Sequence, residues 1–139
     1  MILLDTNVCI RILRGQKDAL RMFAKHAGDV AIPAMVTGEL YYGAEKSSDP
    51  LKSRVIARRF IDVVPVMQTT DSIMSKFGEC KAKLAAKGQI VEDADILIAA
   101  TALTSGCPLA TGNVRHFERF EGLEVQDWTS QDFREEKTK

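Results

Sequence analysis

Three acidic residues stand where a carboxylate is out of place. Asp5 closes the apolar run Ile2-Leu3-Leu4, Glu39 leads into Leu40-Tyr41-Tyr42-Gly43-Ala44, and Asp95 precedes Ile96-Leu97-Ile98-Ala99-Ala100. A half-buried carboxylate with no cation in reach is expensive unless it meets a metal or a proton. Each has a plainer role taken alone: Asp5 suits the N-cap of a following helix, and Asp93 and Asp95 both suit the positive end of a helix dipole. Taken together they point to a metal. Carboxylate oxygens, with waters left on the ion, are what Mg²⁺ or Mn²⁺ requires, and such sites hydrolyse phosphodiesters by activating water and stabilising the departing oxygen. Asn113, just past the run 108–111, places an amide at the same kind of position.

Other chemistries are poorly supplied. Only His26 and His116 are present, the first expected at an exposed helix end, so a histidine acid–base pair or a zinc site is not expected. The chain has no glycine-rich phosphate loop, nucleophile elbow or dinucleotide fingerprint. Cys9, Cys80 and Cys107 are odd in number and widely spaced, which fits core packing in a reducing compartment better than a disulfide framework. The N-terminus lacks the pattern of a signal peptide, and no segment reaches the ~20 apolar residues of a membrane span. A soluble cytoplasmic protein is expected.

These residues must be carried by a scaffold, and the hydrophobic periodicity supplies one. Short apolar runs at 2–4, 30–33, 63–66, 108–111 and 124–128 read as strands. Helical spacing covers 8–14, 17–27, 35–46, 51–60, 71–86 and 94–104. Strands separated by helices pair in parallel, because a parallel return needs a crossover long enough to hold a helix. The expected architecture is α/β: a single three-layer sandwich, with a central parallel sheet of about five strands flanked by helices. In such sheets ligands bind beyond the carboxyl ends of the strands, where Asp5 and Asn113 fall. The domain is expected to span 1–128, followed by a polar, frayed tail over 129–139.

The 139 residues carry 19 Lys and Arg against 19 Asp and Glu, so the net charge is zero. That excludes a strongly basic nucleic-acid coat, a polybasic membrane-surface protein and an acidic solvating tail. The zero is a sum of unlike parts. Residues 1–60 hold ten basic and six acidic side chains, whereas 91–139 hold five and ten. Arg11 and Arg14 in the first helix, Lys46 at the end of the third, and Lys52, Arg54, Arg58 and Arg59 in the fourth form a basic region suited to phosphates; such a cluster makes binding salt-dependent.

The ordered motifs Leu3-Leu4-Asp5-Thr6-Asn7, Gly38-Glu39-Leu40-Tyr41-Tyr42-Gly43-Ala44, Asp95-Ile96-Leu97-Ile98-Ala99-Ala100, Ala110-Thr111-Gly112-Asn113 with Phe117, and Gly122-Leu123 with Trp128 resemble the signature of PIN-domain proteins, in particular the VapC-type toxins of bacterial toxin–antitoxin pairs. The resemblance spans residues 2–128. It implies an endoribonuclease dependent on Mg²⁺, with Mn²⁺ as the alternative. Asp5, Glu39 and Asp95 match the family's acids, and Asn113 falls where many members carry a fourth aspartate. Asp93 is an additional acid of some members, Thr111 matches a hydroxyl residue that orients the first aspartate, and Thr6 and Asn7 complete that first motif. Gly112 replaces a bulkier residue common in the family.

The resemblance further implies an RNA substrate, a cognate antitoxin and a homodimer; from the basic region, Arg11, Arg14, Lys46 and Arg58 are the candidates to grip the RNA phosphates. Leu40-Tyr41-Tyr42, Phe60 and Ile61 are candidate apolar contact surface. Two other families that place an aspartate after a strand fail on position: a haloacid-dehalogenase-like phosphatase needs an aspartate where Asn7 stands, and a receiver-like domain needs one after the third strand. A catalytically idle PIN-like module that binds a partner protein or nucleic acid remains open.

Overall fold

The computed structural model describes residues 1–129. The chain opens on β1 (Ile2–Leu4), every residue of which is buried, and passes straight into α1 (Thr6–Leu13). Asp5 is the N-cap between them: its extended backbone turns the chain, and its side chain accepts the Thr6 N–H. α2 (Lys17–Lys25) follows the turn at Gly15, whose φ of +72° is the left-handed conformation that glycine adopts without strain. The chain continues through β2 (Val30–Pro33), α3 (Ala34–Glu45), α4 (Pro50–Val63), β3 (Val66–Met67), α5 (Asp71–Ala86), α6 (Asp93–Ser105), β4 (Leu109–Thr111), α7 (Val114–Phe117) and β5 (Val125–Asp127).

All strand pairs are parallel, and the sheet order is β3-β2-β1-β4-β5. Consequently the chain leaves β1 toward β2 on one side, and β4 comes back beside β1 on the other. The reversal of strand order falls between β1 and β4, and in parallel sheets ligands bind beyond the carboxyl ends of the strands at such a point. The register sets Leu4 beside Ala110, and the Asp5 N–H donates to the Ala110 carbonyl at 2.9 Å. Residues 106 positions apart in sequence, Asp5 and Thr111, are thereby made neighbours. α6 is buried nearly all round, through Ile96, Ile98, Ala99, Ala100, Thr101 and Ala102, and its alanines let α3, α5 and β2 come close.

The expected elements are present, with three corrections. The strand expected over 63–66 begins only at Val66. α4 runs on to Val63, which is exposed, and Pro65, which lacks an N–H and forces its predecessor extended, ends the helix. α7 was not expected, since one turn is too short to show periodicity. His26 is not at an exposed helix end: it caps α2, is half-buried, and stacks on Trp128 with ring centroids 5.3 Å apart. Of the expected contact surface, Leu40 and Phe60 belong to the core and Tyr41 and Ile61 pack against it, leaving Tyr42 exposed. Cys9 is buried, and burial pushes its thiol up, as befits an inert core residue. The expected tail lies, apart from Thr129, outside the described residues. No helix among the described residues is long and apolar enough to cross a membrane.

Candidate active site

At the carboxyl end of β1 the Asp5 carboxylate is buried and held at both oxygens. The Thr6 backbone N–H donates to Oδ1 at 2.8 Å, and the buried Thr111 hydroxyl donates to Oδ2 at 2.7 Å. The same Thr111 oxygen accepts the Asn113 N–H at 3.0 Å, so the end of β4 is tied to the acid. Burial pushes the Asp5 carboxyl up to about 6; the Thr111 and Thr6 hydrogen bonds oppose this, and the negative charges of Asp95 and Glu39 push it further up. Asp5 is thus a largely desolvated anion at neutral pH that faces two further acids.

Glu39 comes from the middle of α3 and accepts the Thr6 hydroxyl. Asp95 comes from the first turn of α6, and its Oδ2 lies 2.9 Å from His116 Nε2. The charges of Glu39 from α3 and Asp95 from α6 both act on Asp5, at the start of α1. Among the described residues, however, no three acid, thiol or imidazole side chains converge closely enough to hold an ion as they stand. Glu39 and Asp95 are satisfied separately, Glu39 by the Thr6 hydroxyl and Asp95 by the His116 imidazole.

The family model of the PIN domain matches residues 2–123. The chain belongs to the PIN-domain family. Similar proteins include Ribonuclease VapC2 of Haemophilus influenzae, 32% identical over 91% of this chain and 96% of the relative. The tRNA(fMet)-specific endonuclease VapC of Shigella flexneri is 33% identical over 91% and 97%. The crystal structure of DNA-bound VapBC from Salmonella typhimurium contains a chain that superposes with a TM-score of 0.87 at 32% identity, covering 92% of this chain and 98% of that one.

Within this PIN domain the remaining candidates divide. Asn7 accepts the Gly112 N–H through Oδ1 at 3.0 Å, which ties α1 to the loop after β4. A Cβ at Gly112 would stand 2.7 Å from the Thr129 methyl, so a bulkier residue here requires Thr129 to move. Asn113 is exposed and starts α7. Asp93 is exposed and paired with Lys81 at 2.9 Å. Arg14 and Lys46 line, with Glu39, an open groove of about 370 Å³ floored by Ile10, Leu13 and Leu40. Arg11 donates to Gln16 at 2.8 Å instead, and Arg58 is paired with Asp62 at 3.1 Å and the Tyr41 hydroxyl at 3.2 Å, on a separate depression of α4.

His116 is the residue that reading the sequence passed over. Its signal there was weak: a lone histidine in a turn too short to be seen, whose partner lies 21 positions away. The Thr111 hydroxyl is testable. Thr111→Val removes the donor to Asp5 and leaves its desolvated carboxylate short of a hydrogen bond, an expected loss of about 1–3 kcal/mol in urea unfolding. The Asp5 carboxyl should titrate higher in that variant, measured by NMR of its side-chain carbon.

Proposed function

We propose that the protein is a metal-dependent endoribonuclease, the toxin of a toxin–antitoxin pair, in which Asp5, Glu39 and Asp95 hold the ion. The observation that carries this reading is Asp5: a buried carboxylate that both neighbouring acids destabilise. Such an arrangement is relieved by a proton or by a cation, and at neutral pH, above the value of about 6 at which Asp5 takes up its proton, by a cation. The donor set fits Mg²⁺ or Mn²⁺, which take carboxylate oxygens and keep waters. Bound there, the ion supplies an activated water and charge neutralisation for in-line hydrolysis of a phosphodiester.

The chain's own groups do the rest. Thr111 and the Thr6 N–H fix the Asp5 carboxylate, and Asn7 holds the loop after β4 against α1. Glu39, which accepts the Thr6 hydroxyl, and Asp95, which lies beside His116, would complete the donor set for the ion; Asn113 and Asp93, both exposed, are secondary candidates. Arg14 and Lys46, beside Glu39, grip the RNA backbone, with Arg11 and Arg58 released from their present partners as further contacts. The relative named for tRNA(fMet) makes transfer RNA the first substrate to try, and the solved VapBC relatives make a cognate antitoxin the partner to seek. The protein is further proposed to be cytoplasmic and homodimeric, with its PIN domain over 1–128 and a tail over 129–139.

Incubating the purified protein with total RNA, with and without Mg²⁺, and mapping new 5′ ends tests the reading. Discrete ends that need the metal and vanish in Glu39→Gln support it; their absence with every RNA favours the idle binding module. Replacing Arg14 and Lys46 together by alanine should weaken RNA binding and flatten the slope of log K against log salt by about 1.4, measured with uncleavable RNA.

A further inference from the structure

Asp95 is the acid of the site whose partner is an imidazole. Its Oδ2 stands 2.9 Å from His116 Nε2, and both side chains are mostly shielded, with exposures of 30% and 21%. His116 is carried by α7, directly after β4, so the segment that brings Thr111 to Asp5 also brings an imidazole to Asp95. The ring is braced edge-on by Phe117, with centroids 5.1 Å apart, and Phe117 is itself buried and stacked with Phe120. Its position is therefore set by the core.

Resting on the metal-dependent reading above, we propose that His116 is a direct ligand of the ion through Nε2, which makes the centre a mixed nitrogen and oxygen site that prefers first-row transition ions such as Mn²⁺ over Mg²⁺. Two donors at adjacent vertices of an octahedral shell with bonds of ~2.1 Å lie about 3 Å apart. The Nε2 to Oδ2 separation already has that value. In the metal-free protein that contact is a hydrogen bond from Nε2 to the carboxylate, and an ion would take the place of its proton, the imidazole then carrying its hydrogen on Nδ1 and turning the Nε2 lone pair to the metal. The imidazole adds no charge to the three acids, so its contribution depends on donor type. Nitrogen favours transition ions, while Mg²⁺ is served by oxygen.

The full-length protein loaded with Mn²⁺ alone tests this by pulsed electron paramagnetic resonance. The wild-type site is expected to show ¹⁴N coupling from a directly bound imidazole, absent in His116→Gln and retained in His26→Gln. In calorimetric titration, His116→Gln should weaken Mn²⁺ binding about tenfold or more and Mg²⁺ binding by less than about threefold. Mn²⁺ that binds, is lost in Asp5→Asn and shows no nitrogen coupling overturns the proposal and leaves the acidic metal site standing, with His116 only a hydrogen-bond partner of Asp95. No Mn²⁺ binding at all overturns both.

Discussion

Asp5→Asn is expected to abolish RNA cleavage and at the same time to stabilise the metal-free protein. Loss of a ligand removes several kcal/mol of transition-state stabilisation, a fall in rate of about 10³-fold or more. Stability moves the other way because the Asp5 carboxyl lies at about 6 in the folded protein against 3.8 for the free side chain. The native state binds this proton more tightly than the unfolded state. Its contribution is therefore complete below about pH 4 and is lost as pH rises through about 6, a decline of about 3 kcal/mol. An asparagine carries no such titration. It also sacrifices part of the hydrogen bonding to Thr111 and Thr6, worth about 1 kcal/mol, which leaves a net gain near neutral pH. Urea unfolding in chelator from pH 4 to 8 measures both. A wild-type profile as flat as that of the variant would show that Asp5 is not the strained anion the site requires.

Trp128→Ala should cost about 3–5 kcal/mol, a large share of the ~5–15 kcal/mol that holds a domain of this size together. The indole is fully buried at the end of β5, stacks on His26, and donates from Nε1 to Gln126 at 3.0 Å. Its backbone N–H donates to the Thr111 carbonyl at 3.3 Å, so the same residue pins the strand end that serves Asp5. Trp128→Phe should recover much of the loss, since most of the apolar contact survives. Thermal unfolding followed by circular dichroism decides it, the only tryptophan of the chain being the one removed. A loss below about 1 kcal/mol would mean that β5 closes the sheet without this side chain.

The elements that were legible in the sequence are those with an unmistakable period or stop. The all-apolar Ile2-Leu3-Leu4 run, the Gly15 turn and the helix over 71–86 needed no tertiary information, because local sterics and side-chain patterning set them. The start of β3 was misread because Val63 and Val64 are good strand residues; the helix preceding them had enough packing through Ala57 and Phe60 to continue until Pro65 stopped it. Arg11 and Arg58 looked equivalent to Arg14 and Lys46 as charges along helices. Local partners, Gln16 for one and Asp62 with Tyr41 for the other, distinguish them.

By itself the sequence determined which acids are anomalous, because a carboxylate amid apolar residues carries its desolvation cost wherever the chain folds, and it determined the alternation of strands and helices that requires a parallel sheet. Only the tertiary structure decided how those acids are held. Parallel pairing of β1 with β4 puts Thr111 on Asp5, and the one-turn helix after β4 puts His116 on Asp95. Both contacts join residues remote in sequence. Periodicity reports which face of an element is buried, whereas strand register fixes which side chains meet across it.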